Sequence, residues 1–259
     1  DGMAAAFTKA FSFPIIGNLL MALAVSFAVC LLNLATKRWH GRYSMDSDLR
    51  GIQKVHRNPV PRTGGIALFA GVLVVALEGE FGADAMFAGE QARIAMLKLL
   101  VAALPAFLSG IVEYLTKAVA PRTRLYSILA SACLAAWLLG APLPRLDVWG
   151  LDTLLTVLPV SIVVTAIAVA GVTNSINIID GFNGVAGMAV LIIVAGMGFI
   201  AWQAGDMLIV QLAAATIGTT IGFLLLNYPA GRLFMGDSGA YFLGFMAAEI
   251  AVLTVVRNP

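Results

Sequence analysis

The sequence predicts an all-α, polytopic integral membrane protein with about eight transmembrane helices. Three observations carry that class. Of its 259 residues, 60% are hydrophobic and 12% charged, with a mean hydropathy of +0.93; a soluble domain of this size cannot hide so much apolar surface. The apolar residues come in long runs, and a helix needs about 20 such residues to cross the hydrocarbon core. The Lys and Arg are divided unequally among the connecting loops, which is the pattern that sets orientation in a bilayer.

The spans fall near 15–35, 64–79, 94–115, 125–141, 154–173, 185–203, 207–226 and 240–256, and the chain reads as a single membrane domain. Ile15–Ala35 is too long for a signal-peptide core and shows no small-residue cleavage pattern. Gly64–Leu77 is short, a length that also suits a buried or re-entrant helix. Charge decides for counting it as a span. One face then receives loops 36–63, 116–124, 174–184 and 227–239, which hold eleven of the sixteen Lys and Arg. The other face receives Lys9, Arg93, Arg145 and Arg257, and Lys98 stays inside the third span. By the positive-inside rule the basic loops are cytoplasmic and both termini lie outside.

The acids run the other way. Glu78, Glu80, Asp84, Glu90, Asp147, Asp152 and Asp206 fall in outer loops, and the cytoplasmic loops keep Asp46, Asp48, Asp180 and Asp237. A basic face with a few acids in Gly-rich loops suits a polyanion held with a divalent metal. Spans two, four, six and eight begin on that face, so four helix N-termini point their positive dipole ends toward it. Cys30 and Cys133 lie in apolar runs and give neither a disulfide framework nor a metal spacing, and two histidines are too few for a zinc site.

The central feature is the polar interruption 174–184 between two apolar runs. Asn174, Asn177 and Asp180, spaced by three, share one face if the segment is helical. Gly181 and Gly184 let the backbone turn, and Asn183 is placed to cap the next helix. In the first loop Lys54, His56, Arg57 and Arg62 suit phosphates or a nucleotide, and equally a solvated positive-inside loop. Glu113 lies one turn before Lys117, in the order that favours a local ion pair. Asp237 sits between glycines in Gly236-Asp-Ser-Gly239, a turn or a metal and phosphate loop. Lys98 and Glu249 are ionisable residues inside spans, costly in lipid; each sits toward the outer half, where snorkelling or pairing also accounts for it.

Four ordered stretches, Gln53-Lys-x-His56 with Pro61-Arg-x-Gly-Gly65, Leu115-Thr-Lys with Arg122-x-Arg-Leu125, Asn174-x-x-Asn-x-x-Asp-Gly-x-Asn-Gly184 and Phe234-Met-Gly-Asp-Ser-Gly239, resemble the polyprenyl-phosphate N-acetylhexosamine-1-phosphate transferases, glycosyltransferase family 4. The resemblance implies a multi-pass protein of the bacterial inner membrane with a cytoplasmic site. There undecaprenyl phosphate attacks the β-phosphate of a UDP-sugar, with Mg²⁺ required, releasing UMP and starting a cell-envelope glycan. It implies that Asp237 and Asp180 hold Mg²⁺ and, with Glu113, form the catalytic group. Asn174, Asn177 and Asn183 then line the nucleotide side, and Lys54, His56, Arg57, Arg62 and Lys117 handle phosphates. Membrane lipid belongs among the partners and nucleic acid does not; a homodimer is left open.

The sequence departs from that family in three places. Tyr114 stands where a second acid usually follows the first, and Asn183 where an Asp is frequent. The sequence also ends at Pro259, before the further helices and the His-rich loop that the family carries. These departures predict a transferase fold whose activity in this stretch is weakened or absent. Two other classes are weighed beside it: a transporter or flippase relaying through Lys98, Glu113 and Glu249, and a non-catalytic homologue that binds lipid.

Overall fold

The computed structural model describes residues 13–46, 60–78, 89–148 and 150–258. Among them the chain is almost entirely helical: α1 (Phe13–Ser44), α2 (Gly64–Leu77), α3 (Glu90–Thr116), α4 (Pro121–Leu139), the five-residue α5 (Leu151–Leu155), α6 (Leu158–Ile179), α7 (Val185–Ala204), α8 (Met207–Asn227) and α9 (Gly236–Arg257). Two-residue strands β1 (Met45–Asp46) and β2 (Val60–Pro61) pair antiparallel, Met45 opposite Pro61. The all-α polytopic membrane class holds.

Six helices, α1, α3, α6, α7, α8 and α9, are long and apolar enough to cross a bilayer. The expected count of eight is not reached by that measure. α2 has 14 residues, about 21 Å at 1.5 Å per residue, short of a hydrocarbon core of about 30 Å. α4 starts at Pro121 with Arg122 and Arg124 in its first turn, which leaves too little apolar length. Proline suits that first helical position because its missing N–H would have had no partner there.

α9 is the pillar of the bundle. It packs against α6, α3, α2 and α7, and 78% of its apolar stretch is buried, against 28% for α7. Phe69 of α2, Phe107 of α3 and Phe242 of α9 pack ring to ring, with centroids 4.6 Å apart for the first pair and 5.3 Å for Phe69 and Phe242. Offset aromatic contacts of this kind add to area burial. Inside α3, Pro105 breaks the regular ladder, and the next N–H, of Ala106, donates to Ser131 Oγ of α4 at 3.0 Å. Buried backbone groups freed by proline need such a partner in an apolar medium.

The two ends of α9 are tied differently. At its C-terminal end Arg257 donates through Nε and Nη2 to Asp206 at 2.6 and 3.0 Å. Asp206 also caps α8 by accepting from Ile209 N–H. At the other end lie the N-terminus of α9, the starts of α2, α4 and α7, and the ends of α3, α6 and α8.

Candidate functional site

The first turn of α9 is held by backbone contacts. Gly64 N–H and Gly65 N–H donate to the carbonyls of Phe234 and Met235 at 2.9 and 3.0 Å, and Phe234 N–H donates to Pro61 O at 2.9 Å. On the α3 side a Cβ at Gly110 would stand 2.5 Å from Ser238 Cα, and one at Gly65 would stand 2.5 Å from Gly239 N. Only glycine lets three backbones approach so closely. This corrects one expectation. The N-terminus of α2 is no open anion seat, because its first donors are spent on protein carbonyls. At α7, Gly184 N–H is likewise committed, to Asn227 Oδ1 at 2.7 Å.

Asp237 lies in that first turn of α9 and meets Arg124 from the first turn of α4: Nη1 donates to Oδ2 at 3.0 Å. The same guanidinium reaches Glu113 of α3, with Nη2 3.8 Å from Oε1, and Glu113 Oε2 accepts Val119 N–H at 2.8 Å. The three side chains are 23%, 25% and 21% exposed, so the cluster opens to the surface. Glu113 therefore pairs with Arg124, which corrects the expected Glu113–Lys117 pair. α3 ends at Thr116, and Lys117 turns left-handed at φ 52°. That takes its side chain off the helical ridge, and it is exposed. Tyr114 beside Glu113 is half-buried.

Asp180 follows the last turn of α6, closing that helix at φ −75° and ψ 44°. Burial pushes its carboxyl from the ordinary 3.8 up to about 7; the charge of Asp237 adds to the rise, and Arg62 opposes it. Asp180 and Asp237, 57 positions apart in sequence, are thus near enough to feel each other's charge. Arg62 bears on both. One turn back on α6, Asn177 Nδ2 donates to the hydroxyl of Tyr241 at 3.5 Å, and Tyr241 lies within electrostatic reach of Arg124 and Asp237. Asn174 is exposed and stands outside these hydrogen bonds.

The loops carrying the two acids are tied by one buried amide. Asn227, the last residue of α8, accepts Gly184 N–H and donates through Nδ2 to Leu233 O at 2.9 Å. The expected cap at Asn183 is not found. Gly184 occupies that position at φ 82°, a left-handed conformation natural to glycine, and Asn183 Nδ2 instead donates to Pro229 O at 3.3 Å. Lys54, His56 and Arg57 lie outside the described residues.

Sequence reasoning missed Arg124, Tyr241 and Asn227. Arg124 passed for an orienting loop charge, although Pro121 marks the helix start that places it in a first turn. Tyr241 is four residues after Asp237, hence on the same helical face. Asn227 ends an apolar run, and its side-chain partners are local in space only once the hairpin closes.

No group of three or more His, Cys, Asp or Glu among the described residues forms a metal cage. Two carboxylates, one of which raises the proton affinity of the other, are still a donor set that suits Mg²⁺, which takes one or two carboxylates and completes its shell with substrate phosphates and water.

The model of glycosyl transferase family 4 matches residues 96–255. The chain is 27% identical over 206 residues to a probable undecaprenyl-phosphate N-acetylglucosaminyl 1-phosphate transferase of Bacillus subtilis, covering 80% of this chain and 54% of that protein. It is 34% identical over 84 residues to a phospho-N-acetylmuramoyl-pentapeptide-transferase of Streptococcus thermophilus, 32% of this chain and 25% of that one. A Psychrobacter cryohalolentis protein of the same name is 33% identical over 108 residues, 36% and 29% of the two chains. The chain thus spans about half the length of its Bacillus relative, and less of the others.

Proposed function

The chain belongs to glycosyl transferase family 4, and from that premise we propose that its parent protein transfers a sugar-1-phosphate from a UDP-N-acetylhexosamine to undecaprenyl phosphate, initiating a cell-envelope glycan. One observation carries the reading: Asp237 pairs with Arg124, and Asp180, from a separate hairpin, lies within electrostatic reach of Asp237 and of Arg62, which bears on both acids. Arg62, Lys117, Arg122 and Arg124 gather at this end of the bundle, a bias toward Lys and Arg that supports a cytoplasmic face, where a UDP-sugar is available.

The chemistry follows from charge. The acceptor is a phosphate monoester with a second pKa near 6, so at neutral pH it is largely a dianion and already nucleophilic. Its oxygen forms a bond to the β-phosphorus; the bond from that phosphorus to the bridging oxygen breaks, and UMP leaves with the electron pair. Such transfers need in-line positioning and neutralised charge more than covalent help. Arg124 and Arg62 would bind diphosphate oxygens, and Lys54, His56, Arg57 and Lys117 would handle further phosphate oxygens. Asn177, with Asn174 and Asn183, is assigned to the nucleotide side. Asp237 and Asp180 would hold Mg²⁺, which supplies Lewis-acid stabilisation of charge on the phosphates.

The transport reading finds less support. Glu249 is 2% exposed, and its Oε1 has no hydrogen-bond partner. Twelve residues separate it from Asp237 along α9, about 18 Å, too far for a direct proton relay.

The test is UMP release by the full-length protein from UDP-N-acetylglucosamine and undecaprenyl phosphate. Asp237→Asn should abolish it, and EDTA should stop it until Mg²⁺ is restored. Undiminished UMP formation in EDTA defeats the metal assignment. Retained nucleotide binding with no turnover in the full-length parent points to the non-catalytic homologue, for which Tyr114 in place of an acid is the motive.

A further inference from the structure

Asp237 is the carboxylate assigned to Mg²⁺ above, yet its Oδ2 is already taken. Arg124 Nη1 donates to that oxygen at 3.0 Å. Mg²⁺ bonds carboxylate oxygens at about 2.0–2.1 Å, so on the same atom it would stand within about 5 Å of Nη1. Two cations that close on one carboxylate repel, the more strongly where water is scarce.

The guanidinium is also poorly satisfied where it sits. Its Nη2 stops 3.8 Å from Glu113 Oε1, an ion pair too long for a hydrogen bond. Its Nε is buried with no acceptor among the described residues. A planar fork of N–H donors used this sparsely has capacity for a further anion. Glu113, by contrast, is held without Arg124, because its Oε2 accepts Val119 N–H at 2.8 Å. It therefore stays in place when the guanidinium turns. Arg124 is rooted in the first turn of α4 and its side chain is 25% exposed, so side-chain rotation alone can carry its head toward the surface.

We propose that Arg124 is a placeholder cation. While no metal is bound it neutralises Asp237 and Glu113; on loading it gives up Asp237 Oδ2, turns about Glu113, and offers the freed Nη1 together with Nε to a diphosphate. The exchange keeps two neighbouring carboxylates from standing bare in the empty site. It also sets an order of binding, metal before nucleotide, because the fork that suits a diphosphate is engaged with Asp237 until then. The proposal rests on the metal assignment and the transferase reading above.

The test uses the full-length protein in detergent, with Mn²⁺ in place of Mg²⁺ so that bound ion is counted by electron paramagnetic resonance. The rate at which phenylglyoxal modifies Arg124 is followed by peptide mass spectrometry. Bound Mn²⁺ should raise that rate several-fold over EDTA, and UDP added with Mn²⁺ should return it to the EDTA value or below. In Asp237→Asn the rate should already be high in EDTA, and Mn²⁺ should not change it. Arg124→Gln should bind Mn²⁺ several-fold more tightly than the parent and UDP about tenfold more weakly, the worth of a charged hydrogen bond. An arginine that merely braces Asp237 gives the opposite result for the ion. Bound Mn²⁺ with Arg124 modified no faster, or Mn²⁺ held no tighter by Arg124→Gln, overturns the proposal. A parent that binds no Mn²⁺ defeats the metal assignment, and the exchange falls with it. A parent that shows the exchange but releases no UMP defeats the transferase reading and leaves the exchange standing.

Discussion

Arg124 and Asp237, 113 positions apart in sequence, meet at 3.0 Å where the first turns of α4 and α9 face each other. The pair is a quarter exposed on each side, so it is reachable by a ligand yet sheltered enough for geometry to matter. Arg124→Ala leaves Asp237 and Glu113 without their shared cation and should reduce UMP release by the full-length protein about 100-fold, the upper end for losing a charged hydrogen bond. Arg124→Lys keeps the charge but loses the fork, and should fall between the two in the same assay.

Asn227 sets the spacing of the two acid loops with both halves of its amide, through Gly184 N–H and Leu233 O. Asn227→Ala strands a donor and an acceptor in a buried place. The expected loss is about 2–3 kcal/mol of stability, read as a lower thermal midpoint in detergent. Asn227→Asp retains the acceptor for Gly184 but sets a buried carboxylate oxygen against Leu233 O, so its midpoint should also lie below the parent's and recover in part at low pH, where the protonated acid can donate.

Gly110 lets α3 touch the first turn of α9. In Gly110→Ala the new methyl meets backbone atoms of Asp237 and Ser238, which cannot rotate aside, so Asp237 must shift relative to Glu113 and Arg124. UMP release should drop at least about tenfold, since misplacement of about 1 Å costs about 100-fold where positioning governs the rate. Gly196→Ala on α7 is the control: nothing lies within 4 Å of its added carbon, and activity should be unchanged.

Asp180 gives the fold a pH signature. Its carboxyl rises from 3.8 in the ordinary state to about 7 in the fold, so between those values the native protein holds a proton that the unfolded chain has released. Stability therefore falls as pH climbs from about 4 to about 7 and is level above. Thermal midpoints measured in detergent with a chelator should show that slope, and Asp180→Asn should flatten it. A slope that survives the substitution must come from another group.

Much of the fold is legible in the sequence. Apolar run length gave the polytopic helical class, and loop chemistry singled out Asp180 and Asp237 because acids in Gly-rich turns between hydrophobic spans have few bland explanations. The partners of those acids were not legible. Arg124 hid among basic residues whose ordinary task is orientation, and no local rule pairs it with a residue 113 positions away. Glu113 had an eligible neighbour in Lys117, and helical spacing favoured it until the left-handed turn at Lys117 removed that option. Asn183 looked like a cap because of its residue type, but backbone conformation at Gly184 and an amide from another helix decided the matter.

The mounting of Asp237 on the most enclosed helix has a historical corollary. α7 turns most of its length outward, so drift there can retailor how the protein sits among different lipids without re-aiming the acid. α9 has no such latitude from Gly236 to Leu253, where nearly every side chain is shut in by neighbours. Lineages adapting to new membranes would therefore rewrite the rim of this bundle and leave its axle as they found it.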